Sequence, residues 1–239
     1  MKKQFLFIFI ALLICATASG QEIRKDRLFM PKSSSGIGLQ VSYFDFGSSD
    51  SDVMLLLKNL NATGSYTSFA PFYVYTYKNN RAIGARLKYS RAIAGISNAD
   101  LSLFSEDLSL TLENIKADTR SFQAQLFHRS YMGLDNHGRF GLFNDIVLSY
   151  TDARSSFDMG ETSADAYSQS KKVKLGFCPG IMIFILNNIS THVSMNIGGI
   201  SYRHVDCVEN GNVVGSRDNT KAHFAPDLTD ISFGMTFYF

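Results

Sequence analysis

Ile231-Ser232-Phe233-Gly234-Met235-Thr236-Phe237-Tyr238-Phe239 carries a bulky apolar side chain at every odd position and, up to Thr236, a small or polar one at every even position. Successive side chains of a strand point to opposite faces, so this period of two marks a β-strand with one bulky face and one small or polar face. The same period recurs upstream. Ile37-Gly38-Leu39-Gln40-Val41-Ser42-Tyr43, Ile83 to Ser90, Phe122 to Leu126, Lys172 to Phe177 and His192 to Gly198 all alternate. Two further stretches are less regular: Ser68 to Tyr77 is aromatic on both faces, and Phe140 to Tyr150 carries Asn144 and Asp145 at its centre.

Together these predict eight strands, at about 37–46, 68–77, 82–90, 119–131, 139–150, 171–184, 190–203 and 229–239. Several are near the nine to eleven residues that a tilted strand needs to cross a bilayer. The connections alternate. Those at 47–67, 91–118, 151–170 and 204–228 are long, whereas 78–81, 132–138 and 185–189 are short and rich in Asn and Gly, as tight turns require. An up-and-down barrel threaded through a membrane sorts its connections in this way, long loops on one side and turns on the other. A soluble barrel has no such reason, and it would place the bulky face inside.

The start of the chain supports export. Met1-Lys2-Lys3 is basic, Phe5 to Ala16 is almost wholly apolar, and Ala16 to Gly20 is small, the pattern of a secretory signal cleaved after Ala18 or Gly20. Cys15 follows Ile14, where a lipid-attachment signal resembles others in wanting a small residue, so lipidation is not expected. The expected organisation is a signal peptide over 1–20, a periplasmic segment over 21–36 and a barrel over 37–239. Without Lys2 and Lys3, 21 basic residues face 21 acidic ones, which argues against a nucleic-acid partner held by phosphate neutralisation. The longest later apolar run, Ile181 to Leu186, is six residues, far short of a spanning helix.

With its alternating strands and its closing Phe239, the chain resembles the small outer-membrane β-barrels of Gram-negative bacteria. The terminal strand, with Phe233, Phe237 and Phe239 on its bulky face, looks like the aromatic signal that the barrel assembly machinery reads in that family. The resemblance implies an all-β fold, an eight-stranded antiparallel up-and-down transmembrane barrel in the cell outer membrane. Its long loops would be extracellular and its turns periplasmic. One departure is the absence of Trp; Tyr43, Tyr73, Tyr75, Tyr77, Tyr89 and Tyr150 would serve at the membrane interfaces. Eight strands leave a lumen just wide enough for side chains to fill. Arg86, Lys88, Gln123, Gln125, Arg129, Asp145, Lys172, Lys174, His192 and Asn196 are expected to line it. That set carries an excess of cations and reads as a plug more than a channel.

The expected role is structural or surface-interacting, with narrow diffusion pore and lipid-modifying barrel enzyme as alternatives. Expected partners are outer-membrane lipid and lipopolysaccharide, the assembly machinery and an unidentified extracellular partner, for a monomeric barrel without cofactor. His204 and His223 flank the last long loop beside Asp206, Ser216 and Asp218, but their spacing matches no catalytic motif. The histidines at 128, 137, 192, 204 and 223 never fall at the spacing of a zinc site, and Asp45, Asp50 and Asp52 read as solvated. His128 reads as an interfacial strand residue and His137 as a solvated turn residue. Cys178 should lie on the order of 20 Å below the loop end of its strand and Cys207 above the rim, too far for the roughly 7 Å a disulfide needs. The apolar stretches Val53 to Leu57, Leu101 to Phe104 and Leu108 to Leu112 read as strands continued into hairpins that pack on each other.

Overall fold

A computed structural model of the chain describes residues 28–46, 62–100, 111–135, 137–158, 166–209, 211–224 and 230–239. Six strands follow one another as antiparallel neighbours: β1 (Ser35–Phe46), β2 (Ala62–Lys78), β3 (Arg81–Asp100), β4 (Thr111–Gly133), β5 (Phe140–Asp158) and β6 (Ala166–Leu186). β7 (Ile189–Ser194) returns along β6, and β10 (Ser232–Tyr238) lies between β7 and β1, which closes the sheet. The ring therefore has eight positions. β8 (Gly199–Glu209) continues the seventh position along β6 beyond β7, and β9 (Asn212–His223) folds back on β8.

The strands run longer than the alternation predicts. β4 has 23 residues, about 75 Å at the usual rise of roughly 3.3 Å per residue, well over twice the nine to eleven that a crossing needs. The extra length escapes a hydrophobic reading because it is held by polar cross-strand pairs. Arg91 donates from Nε and Nη2 to Asp118 at 3.1 and 2.9 Å, and the hydroxyls of Thr119 and Ser155 meet at 2.8 Å. Ladder pairing continues wherever opposite side chains are compatible, with or without an apolar face. The same correction applies to 204–228, read above as one long loop: most of it is the β8–β9 ribbon.

The expected strand 190–203 is also two strands, with a bulge between them. Gly180 pairs with Ser194 and Gly176 with Gly199, so β6 advances four residues while its partner advances five. Pro179, which has no N–H to give, stands opposite the break and accepts a hydrogen bond from Met195 N at 3.1 Å. Gly198 and Gly199 take φ of 126° and 153°, and a Cβ at Gly199 would strike the Leu175 carbonyl. One inserted residue moves every later side chain to the other face. Val193 faces outward before the bulge, Ile200 and Tyr202 after it.

The barrel interior closes by fitting rings over glycines. Across neighbouring strands Gly38 pairs with Phe72, Gly84 with Phe127, Gly180 with Phe143, Gly234 with His192 and Gly36 with Tyr238. A Cβ at Gly38, Gly84 or Gly180 would collide with its partner's ring and with a backbone carbonyl. The missing Cβ is what lets each ring lie flat against the wall of a narrow lumen, the reason eight-stranded interiors alternate large and small residues.

Residues 28–34, expected as part of a periplasmic segment outside the barrel, fold across its turn end. The Asn80 side-chain oxygen accepts from Phe29 N and Met30 N at 3.0 and 2.8 Å, and Asn80 N donates to Met30 O at 2.9 Å. Asn80 sits at φ 60°, a conformation Asn tolerates in tight turns. Phe29 and Met30 are buried and pack with Tyr131, Phe184, Met182 and Tyr238 into an apolar plug.

Candidate functional site

Above the plug, the lumen of the barrel is polar. Arg129 is fully buried and holds Asp145 through two donors, Nε to Oδ1 at 2.7 Å and Nη2 to Oδ2 at 2.8 Å. Arg86 reaches the same carboxylate at 3.3 Å and gives its Nη1 to Gln125 at 2.9 Å. Both guanidinium groups lie over aromatic rings, Arg129 at 4.1 Å from the Phe143 centroid and Arg86 at 4.8 Å from that of Phe127. Rings attract cations through their negative faces, and more strongly where water is excluded. Gln40 and His192 meet at 2.9 Å on the opposite wall, with His192 edge-on to Phe72 and Phe143. This layer of rings and charges seals the lumen toward the turns.

One step further toward the loops is a chamber of about 60 Å³. Six of the ten expected lumen residues, Arg86, Lys88, Gln123, Gln125, Lys174 and Asn196, line it. Arg129, Asp145 and His192 form the sealing layer beneath it, and Lys172 is half-buried further up β6, opposite Thr151 and Arg203. Lys88 Nζ donates to Asp230 at 2.6 Å. Lys88 and His192 were legible as lumen residues from the period of two, but their partners Asp230 and Gln40 were not. Met195, on the bulky side of the alternating reading, lines the chamber because the bulge turns it. Cys178 and Cys207 are both free, and Cys178 also lines the chamber.

His204 sits on the ribbon, clear of the lumen. Its Nδ1 meets Asp218 at 2.7 Å and its Nε2 meets Asp206 at 3.1 Å, while Tyr202 also donates to Asp218 at 2.7 Å. Its hydrogen bond to Asp218, with the Asp206 charge beside it, raises the His204 pKa above its ordinary value, and the hydrogen bonds that Asp218 accepts from His204 and Tyr202 lower that of Asp218. His128 meets the Tyr77 hydroxyl at 3.0 Å on the outer face, and His137 is exposed in the β4–β5 turn. Among the described residues no three His, Cys, Asp or Glu converge as a metal site. Asp50, Asp52, Val53 to Leu57, Leu101 to Phe104 and 108–110 lie outside the described residues.

The outer face inverts the arrangement of a soluble protein. Leu39, Leu87, Leu126, Ile146, Leu175, Ile181 and Met235 all point away from the lumen and are exposed, Leu126 by 62 %. Tyr43, Tyr89, Phe122, Tyr150 and Tyr202 edge this belt toward the loops, and Tyr75, Tyr77, Phe237 and Phe239 toward the turns. Monomeric soluble proteins rarely expose a continuous apolar surface of this extent. A closed barrel satisfies every backbone group within itself, which hydrocarbon demands.

No family model matches the sequence, and no curated protein shows a significant match. Among solved structures it is similar to the outer membrane protein OprG from Pseudomonas aeruginosa, with a TM-score of 0.50 at 12 % identity over 87 % of this chain and 97 % of that one. The chain is a closed eight-stranded antiparallel barrel, the fold of that outer membrane protein. A major outer membrane protein from Thermus thermophilus aligns with a TM-score of 0.47 at 10 % identity over 87 % of this chain and all of that one. Neisserial surface protein A aligns at 0.37 and 14 % over 86 % and 97 %. Identities this low speak to fold alone.

Proposed function

We propose that this barrel resides in the outer membrane of a Gram-negative cell, after cleavage of residues 1–20, with its tight turns and the 28–34 plug in the periplasm. Its extended strands and the β8–β9 ribbon then stand outside the cell. In that position it serves a structural or surface-interaction role and does not conduct. The observation that carries this reading is the double seal of the lumen, the Arg129–Asp145 layer among Phe72, Phe127 and Phe143 above the Phe29–Met30 plug. The wall supports it too. β3, β4, β5 and β6 all continue past the apolar belt, so among the described residues the surface offered to the outside is mostly paired strand, with lipopolysaccharide as the neighbour at the belt's rim.

Phe233, Phe237 and Phe239 lie exposed on the outer face of β10, where an assembly machine can read them before the barrel closes. The ribbon histidine does not favour a hydrolase. Both His204 nitrogens face carboxylates, which leaves neither to take a proton from a hydroxyl nucleophile. Planar-bilayer recording of the purified, folded protein tests the reading. Silent membranes are expected, and discrete conductance steps from the intact chain would instead establish the diffusion pore.

A further inference from the structure

We infer that the lumen chamber binds one small oxyanion, of the size and charge of phosphate, sulfate or a simple carboxylate. The chamber is walled by Arg86 and Lys88 of β3 and Lys174 of β6, with amide and hydroxyl groups of Gln40, Gln123 and Ser194 between them. One carboxylate, Asp230, answers Lys88 at 2.6 Å. In the layer below, Asp145 is shared by Arg129 and Arg86. Lys174 makes no ion pair among the described residues. The chamber and the layer beneath it thus hold four cations, Arg86, Lys88, Arg129 and Lys174, against two carboxylates.

Two positive charges in excess sit inside a wall whose other side is hydrocarbon. Solvent screens charges less there than in open water, and Lys174, half-buried without a counter-charge, is unfavourable. A mobile anion restores the balance at no cost to the fold. The volume fits that occupant. About 60 Å³ holds roughly four to six waters at the 10–15 Å³ that each requires. That matches the five heavy atoms of a tetrahedral oxyanion or the four of acetate. Lysine and arginine with amide donors around them supply the charged and neutral donors that such an anion needs, and the one lining carboxylate, Asp230, is held by Lys88.

The test uses the full barrel folded in detergent, its folding checked by heat-modifiable gel mobility. Sodium phosphate, sodium sulfate and sodium acetate are titrated in separate calorimetric arms, each at constant ionic strength balanced with chloride. Saturable one-site binding is expected. It should weaken tenfold or more in Lys174→Gln and be lost in Gln125→Glu, which keeps the acceptor for Arg86 and supplies the missing charge from the protein itself. Lys78→Gln, at the exposed turn end of β2, should bind as wild type. Binding of the tetrahedral anions without acetate assigns the site to inorganic oxyanions, and equal binding of acetate assigns it to the carboxylate group. Absence of saturable binding at tens of millimolar overturns the inference, as does wild-type affinity in both lumen variants or an equal loss in Lys78→Gln. None of these outcomes depends on whether the barrel conducts, so the inference and the proposed role fail separately.

Discussion

Asp145→Asn removes the one carboxylate that neutralises two buried guanidinium groups. Arg129 meets it through two bonds of 2.7 and 2.8 Å with no exposure of its own side chain, and Arg86 meets it at 3.3 Å with 8 %. Breaking a buried pair by removing one partner costs about 3–5 kcal/mol, because the surviving charge stays where water cannot reach it. Here two charges survive, so the upper part of that range is expected. At 1.4 kcal/mol per factor of ten, the folded-to-unfolded ratio should fall by about 10³ to 10⁴. Removing one stranded cation as well, in Asp145→Asn with Arg129→Met, should recover part of the loss, because Arg86 still lacks its carboxylate while the better-buried charge is gone. Urea unfolding in lipid vesicles, followed by gel mobility, measures both. The reasoning is refuted if the single variant unfolds within about 0.5 kcal/mol of wild type, the spread of ordinary surface changes, or if the double variant is no better than the single one.

Four further outcomes follow from the geometry. Leu87→Arg, on the outer face of β3 within the apolar belt, should cost roughly 2–4 kcal/mol of stability in vesicles, while a solvated-extension change such as Lys116→Gln should cost nothing measurable in the same assay. Gly84→Ala forces a methyl group into the Phe127 ring and the Tyr73 carbonyl, so unfolding should show a loss of about 1–3 kcal/mol, partly restored by Phe127→Leu. On the ribbon, the raised His204 pKa adds stability that is complete below about 6.5 and lost as pH rises through the folded value, while the lowered Asp218 pKa adds stability present above about 4 and lost as pH falls through its own. Protection of the β8–β9 amides in hydrogen exchange should therefore peak between about pH 4 and 6.5, and His204→Gln should flatten the alkaline side of that profile. Deleting Phe239 should reduce the folded barrel recovered in outer-membrane fractions, and equal recovery with wild type would remove the terminal strand's role in assembly.

The period of two in the segments around Leu39, Leu87, Leu126, Leu175 and Phe233 was enough to establish strands, their number around the ring and the division into a bulky and a polar face. That follows because side-chain alternation is a local property of an extended backbone, and a belt that must meet hydrocarbon all round has to repeat it on every strand. The turns at Asn79-Asn80 and Asn187-Asn188 were legible for the same local reason. The loopward halves of β3 to β6 were not, since Arg91, Asp118, Thr119 and Ser155 announce no face and are ordered only by the strand opposite. The bulge at Met195–Gly198 was not read either: the bulky residues move from odd positions to even ones across Gly198-Gly199, but only the ladder to β6, with Pro179 facing it, shows that one residue is extra. The lumen residues could be assigned to a face but not to one another. Which cation meets Asp145, that Asp230 answers Lys88 from 142 residues away, and that Phe29 and Met30 stopper the turn end are set by closure of the sheet, which brings distant strands to one wall at a height no single strand specifies.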